Sequence, residues 1–174
     1  MPSLRQAGPE DEALLYALFA EDKGAQLAAI GLGAAQLQPL IEMQYRGRKM
    51  TYAEQYPEAT DSILIDFDGT PAGRLLVDRK PDCWRIVDIA VAASCRGRGL
   101  GAWALKGCQE QCAAAGARLE LQVAFENPAR RLYERLGFYA VCESSVAVQM
   151  AWNAPEKQCA LLASGLQNSM GDGK

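Results

Sequence analysis

Apolar residues recur along the chain at two spacings. Behind the acidic run Glu10, Asp11 and Glu12, residues Leu14, Leu15, Leu18 and Phe19 follow a helical period, which predicts a helix after a short strand over Ser3 to Ala7 and a Gly8-Pro9 turn. Gly24 is expected to interrupt that helix, and Ala25 to Gly33, apolar but punctuated by glycine, fits neither period. Helical spacing returns over Gln36 to Met50 through Leu37, Leu40, Ile41 and Tyr45, with Pro39 placed in the first turn and Tyr52, Tyr56 and Pro57 leading out. From Ser62 the spacing shortens to that of strands: Ile63 to Phe67, an Asp68-Gly69 turn with Pro71 close by, and Gly73 to Asp78. After Lys80-Pro81-Asp82 comes Trp84 to Val91, so three strands joined by short turns run as an antiparallel meander.

The meander ends in IVDIAVAASCRGRGLGAWAL, a buried strand that passes through a glycine-rich turn into a helix over Leu100 to Ala115. That helix places Leu105, Cys108, Cys112 and Ala115 on one face and stops at Gly116. Leu119 to Ala124 is then a strand reached by a helical crossover, hence parallel to the one before the turn. A further helix is expected from Asn127 as N-cap and Pro128 as its first residue to Gly137 at C′, braced by an Arg130–Glu134 pair. Leu132 and Leu136 would face the core, with Tyr133 about 100° round from Leu132 and able to look into a cleft or to cover the core. Phe138 to Cys142 and Ser145 to Trp152 read as a closing hairpin. One domain over residues 1–152 is expected, followed by a loosely held tail over 153–174 with one helical turn at Cys159 to Leu162.

The turn carries the candidate chemistry. In Arg96-Gly97-Arg98-Gly99-Leu100-Gly101 three positions lack a Cβ, so successive backbone N–H groups can close around anionic oxygens at a helix N-terminus flanked by two arginines. A pyrophosphate is the matching ligand. Composition narrows what such a ligand serves. A net charge of −3 and a pI near 5.1 argue against a general nucleic-acid binder, whose affinity comes from neutralised phosphates. No apolar run has membrane-spanning length and no signal peptide stands at the start, so a cytoplasmic protein is expected. With no histidine in the chain, Ser/His and Cys/His nucleophilic machinery is excluded and acid–base work falls to carboxylates, tyrosine, cysteine, lysine or water. The six cysteines are read as reduced thiols, and Cys108 and Cys112 as small core residues; no metal site is expected.

Two motifs then resemble those of the GNAT-superfamily N-acetyltransferases. The Arg/Gln-x-x-Gly-x-Gly/Ala signature after a strand is met by Arg96, Gly99 and Gly101, and an Asn before a short helix with Tyr and a final Gly-Phe is met by Asn127, Tyr133, Gly137 and Phe138. The resemblance implies an α/β (α+β) fold: a mixed, mostly antiparallel sheet of six to seven strands, flanked by helices and splayed at the parallel strands 4 and 5. It implies acetyl-coenzyme A as cosubstrate and an acetyl group moved to a primary amine of a small molecule or peptide by direct attack in a ternary complex. Its pyrophosphate would sit on Arg96, Gly97, Arg98, Gly99, Leu100, Gly101 and Ala102. The pantetheine arm would pair with Ile89, Ala90 and Val91. Asn127, Ala129, Arg130 and Tyr133 would complete the cofactor contacts, and Tyr133 would protonate the leaving thiolate. Asp88, an acid in an apolar strand, is a candidate base, or else a structural or substrate-anchoring carboxylate. Water, Asp78, Glu143 and Tyr52 are the other candidates.

Two rivals remain on the residues alone. Gly97 to Ala102 also satisfies G-x-G-x-x-A, with Glu120 or Glu126 downstream, as a dinucleotide-binding oxidoreductase would; but a meander before the turn does not suit a Rossmann half. A non-catalytic acyl-CoA-binding module would keep the turn and lack a working acid. Glu42, Asp66, Asp78 and Asp88 as cleft carboxylates would suit a cationic amine acceptor, and the closing hairpin could pair with a second copy in a homodimer.

Overall fold

The computed structural model describes residues 1–29, 31 and 33–155, so the tail beyond residue 155, with the turn expected at Cys159 to Leu162, lies outside the described residues. Two compact units divide the chain, one of residues 1–79 and 86–104, the other of 80–85 and the chain from Leu105 on.

In the first unit, β1 (Ser3–Gln6) is followed by a one-turn 3-10 helix at Pro9–Asp11 and α1 (Glu12–Ala28). Helix α1 passes through Gly24 instead of being interrupted there, and α2 (Ala34–Gln55) starts before Gln36 and continues beyond Met50. Both differences have one cause. Phe19, Ile41 and Tyr45 form a buried cluster that also draws in Leu15, Tyr16, Leu27 and Leu37, and that burial outweighs the cost of about 1 kcal/mol for a mid-helix glycine. Pro39 consequently stands in the second turn of α2, where its ring nitrogen has no hydrogen for the Ala35 carbonyl.

Strands β2 (Thr60–Ile65) and β3 (Pro71–Arg79) pair antiparallel, and β1 pairs antiparallel with β2. The expected strand over Ile63 to Phe67 ends two residues early, because Oδ1 of Asp66 accepts from the N–H groups of Asp68 (2.8 Å) and Thr70 (3.0 Å). This side chain builds the turn in place of the ladder, with Gly69 at φ 83°. Ile63, Leu64, Leu75, Leu76 and Val77 are all buried, as in a strand pair covered on both faces. Strand β4 (Cys83–Val91) follows β3 after a short turn closed by the Lys80 N–H on the Cys83 carbonyl. A Cβ on Gly73 would come within 2.5 Å of the Ala90 carbonyl oxygen and 2.8 Å of a Leu64 methyl, so only glycine fits there as the backbone stands.

Helix α3 (Leu100–Ala114) ends in a Schellman motif: Ala117 N–H donates to the Cys112 carbonyl, Gly116 N–H to that of Ala113, and Gly116 takes φ 65°. Ala115, expected on the core face, lies past the helix end and is exposed. In the second unit β5 (Arg118–Ala124) alternates strictly, with Leu119, Leu121 and Val123 buried, and pairs antiparallel with β7 (Ala147–Trp152), which pairs antiparallel with β6 (Tyr139–Glu143). The strand order is β1-β2-β3-β4-β5-β7-β6, a seven-stranded mixed sheet with β4 and β5 parallel and helices flanking it. Asn153, the first residue of the expected tail, is buried, and its amide donates to the Tyr139 hydroxyl at 2.6 Å.

Cys108 and Cys112 are buried as expected, whereas Cys142 on β6 is exposed; Cys83, Cys95 and Cys142 are free thiols. No group of three or more metal-ligating side chains occurs among the described residues, and no helix among them is long and apolar enough to cross a membrane.

Candidate active site

Strand β4 gives way to the glycine-rich turn at Ala92, whose N–H donates to the Ala72 carbonyl, and a 3-10 turn at Ala93–Cys95 redirects the chain. Arg96 is extended, and Gly97 and Gly99 take φ 75° and 86°, a left-handed conformation that glycine alone adopts without strain. No heavy atom lies within 4 Å of where a Cβ would stand on either. The first helical bond, Trp103 N–H to the Gly99 carbonyl, leaves the N–H groups of Leu100, Gly101 and Ala102 ahead of the ladder. The turn is therefore open, rich in backbone donors, and set at the positive end of α3.

Both arginines of the turn already hold carboxylates. Arg98 pairs with Asp68 at 2.8 Å and with Asp66 at 3.6 Å, and its guanidinium lies 5.9 Å from the Phe67 ring. The bond to Asp68 raises the Arg98 pKa, and the N–H groups of Thr70 and Asp68 hold Asp66 below the usual carboxylate range. Arg96 donates from Nε to the Val91 carbonyl at 2.8 Å and lies 3.6 Å from Glu21 of α1, which also accepts from the Ala93 N–H at 3.0 Å. Cys95 Sγ sits 3.7 Å from Asp66.

Asp88, at the middle of β4, is part of a four-membered network. Its Oδ2 accepts from Arg48 of α2 at 2.7 Å and from Arg74 of β3 at 3.1 Å, while Arg74 closes a bidentate pair with Asp61 of β2 at 2.9 and 2.6 Å. The Arg48 guanidinium lies 4.7 Å from the Phe19 ring centroid and 5.3 Å from that of Tyr52. Burial and the nearby Asp88 push the Tyr52 hydroxyl upward, away from service as a base at neutral pH. Ile89, Ala90 and Val91 beyond Asp88 are half-buried. Of the other carboxylates, Asp78 is buried, Glu42 is exposed and accepts from Gln38, and Glu143 pairs with Arg130.

In the second unit the helix expected from Asn127 starts later, as α4 (Arg130–Arg135). Asn127 does cap, but a turn ahead of the helix: its Oδ1 accepts from the Ala129 N–H at 2.9 Å while its carbonyl accepts from Arg130. Arg130 makes the expected pair with Glu134 at 2.9 Å, adds Glu143 at 3.0 Å and lies 5.8 Å from the Phe125 ring. Gly137 takes φ 84° at C′ as expected, and Gln109 donates to the Leu136 carbonyl at 2.8 Å. Leu132 and Leu136 are only half-buried, whereas Tyr133 is buried to 7% exposure with its ring 6.0 Å from Phe138 in edge-to-face contact. Arg48 and Arg74 beside Asp88, and Glu21 beside the turn, carried no motif in the sequence; the partners of Asp88 lie 40 and 14 positions away along the chain.

The model of the acetyltransferase (GNAT) family matches residues 34–138, more than half of the chain, and those residues include Asp88, the whole turn and α4. Among solved structures, PaiA N-acetyltransferase from Thermoplasma acidophilum in complex with coenzyme A is 14% identical with a TM-score of 0.69, over 88% of this chain and 99% of that one. The ribosomal-protein-S18-alanine N-acetyltransferase from Escherichia coli is 18% identical with a TM-score of 0.58, over 88% and 94%. A GNAT family acetyltransferase from Elizabethkingia anophelis with acetyl-CoA bound is 13% identical with a TM-score of 0.52, over 60% and 82%. These likenesses are of fold. No curated protein sequence matches the chain.

Proposed function

Because the chain belongs to the acetyltransferase (GNAT) family, we propose that it transfers the acetyl group of acetyl-coenzyme A to a primary amine by direct attack in a ternary complex. The observation that carries this reading is the turn from Arg96 to Ala102, with left-handed Gly97 and Gly99 opening onto empty space ahead of α3. A diphosphate fits such a turn: it accepts from the backbone donors and meets Arg96 and Arg98. Acetyl-CoA is the cosubstrate, and the coenzyme A and acetyl-CoA found in the Thermoplasma and Elizabethkingia structures agree with that.

The pantetheine arm pairs with the backbone of Ile89, Ala90 and Val91, and an N–H near Ile89 polarises the thioester carbonyl. The neutral amine attacks the carbonyl carbon, the C–S bond breaks, the amine proton leaves to water, and the thiolate takes a proton from Tyr133. Asn127, Ala129 and Arg130 are the other residues that this reading assigns to the cofactor. With two guanidinium donors on its Oδ2, Asp88 anchors substrate in this scheme and water is the base.

Calorimetry with coenzyme A and NAD, followed by thiol release from acetyl-CoA across a panel of amines, tests the proposal. Binding of coenzyme A with amine-dependent thiol release is the expected result. Tighter binding of NAD would return the oxidoreductase reading, and coenzyme A binding without release for any amine would leave a non-catalytic module.

A further inference from the structure

The geometry points to the Arg48–Asp88 pair as the acceptor-recognition site, and to a free α-amino acid as the acceptor it fits. The inference rests on the acetyl transfer proposed above and names its second substrate. Arg48 spends one donor, an Nη2 hydrogen, on Asp88 Oδ2. Its Nε and Nη1 make no hydrogen bond to protein among the described residues, and neither does Asp88 Oδ1. The pair is not sealed off, since the Arg48 side chain keeps 29% of its surface and that of Asp88 13%. It therefore offers a guanidinium edge with donors to spare beside a carboxylate oxygen with lone pairs to spare.

The surroundings fix the orientation of that edge. Phe19 and Tyr52 lie over the guanidinium at 4.7 and 5.3 Å, so its ring-facing surface is taken and recognition is left to the in-plane N–H groups, which match a carboxylate two at a time. Arg74 holds the other side of Asp88 and is itself fixed by both oxygens of Asp61. Two arginines and two aspartates cancel, so the site has no net charge with which to gather a polycation. A polyamine would leave the Arg48 donors unanswered. A zwitterion answers both halves: its carboxylate on Arg48, its ammonium at Asp88 Oδ1, where the nitrogen gives a proton to water before it attacks. The carboxylate end gives the selectivity, because an acceptor without it leaves a half-buried cation with unmatched donors.

Thiol release from acetyl-CoA is measured with free α-amino acids, with their α-amides and with the amines left by their decarboxylation. We expect kcat/KM for the acids to exceed that for both analogues by about tenfold or more. Amides or amines used as well as the acids would overturn the inference while leaving acetyl transfer itself standing. Arg48→Gln is expected to raise KM for the amino acid about tenfold, to leave KM for acetyl-CoA unchanged and to erase the preference for acid over amide, with partial rescue by Arg48→Lys. A folded Arg48→Gln protein that keeps the preference would overturn it. Should no amine release thiol, the general reading fails, and calorimetry of the amino acids into coenzyme A-saturated protein decides this one: binding abolished by Arg48→Gln supports it, and no binding to the wild-type protein ends it.

Discussion

Arg98 illustrates how one residue can serve two partners in turn. In this turn its guanidinium is shared by Asp68 and Asp66, and a phosphate in the proposed complex competes with them for it. Asp68 is mostly exposed, so the pair is weak and its removal should help the ligand modestly. Asp68→Asn is expected to tighten coenzyme A binding about two- to threefold by calorimetry, whereas Arg98→Ala loosens it; an Asp68→Asn protein that binds more weakly would show that the carboxylate orients Arg98 productively. Tyr133 poses a different question, since its ring is buried against Phe138. If its hydroxyl protonates the thiolate, Tyr133→Phe keeps coenzyme A affinity but lowers turnover about a hundredfold. Equal loss of stability and turnover would make it a packing residue. At this scale the sequence was legible where the chemistry is local: Gly97, Gly99 and Gly137 sit in the left-handed region that their motifs require. Arg48 and Glu21 were not legible, because nothing near them in the chain announces Asp88 or Ala93.

At the scale of elements, Gly73 of β3 lies so near β4 that a Cβ on it would come within 2.5 Å of the Ala90 carbonyl oxygen. Gly73→Ala forces the strands apart and should cost about 1–3 kcal/mol in chemical denaturation. The same substitution moves the backbone of Ala90, to which the pantetheine arm is assigned, so acetyl-CoA affinity should fall with it; unchanged affinity would place the arm elsewhere. The strand meander, the Gly116 stop of α3 and the closing hairpin could all be read from spacing and turn residues. The ends of α1 and α2 could not, since the burial of Phe19, Ile41 and Tyr45 carries helix across Gly24, which argues locally for a break, and starts α2 early enough to put Pro39 beyond the first turn. The late start of α4 has the opposite origin. Asn127 has the cap residue's chemistry but uses it on the turn preceding the helix.

For the whole molecule, acid response can be traced to a contact near the N-terminus. Asp11 is bonded by both Arg5 guanidinium nitrogens at 2.7 and 2.6 Å and by the Gly8 N–H at 2.9 Å, which brings its pKa down to about 2, with the Arg5 bonds as the main cause. A carboxylate depressed on folding stabilises the fold above its unfolded value, near ~3.9, and that contribution disappears as pH falls towards the folded value. The thermal midpoint of the wild-type chain should therefore exceed that of Asp11→Asn at pH 5 to 7, and the gap should close between about pH 4 and pH 2. A gap independent of pH would assign the contact to shape alone. 

Cys142 stands in the open on β6 and Cys95 half-covered beside Asp66, both as free sulfhydryls. A colorimetric reagent for liberated coenzyme A will meet these groups before any turnover. Each progress curve should open with a burst proportional to enzyme and indifferent to acceptor, and only the slope beyond it reports catalysis. The part of that burst owed to Cys95 should slow once the nucleotide end of the cosubstrate covers the neighbouring backbone, so the assay's own background doubles as a readout of occupancy.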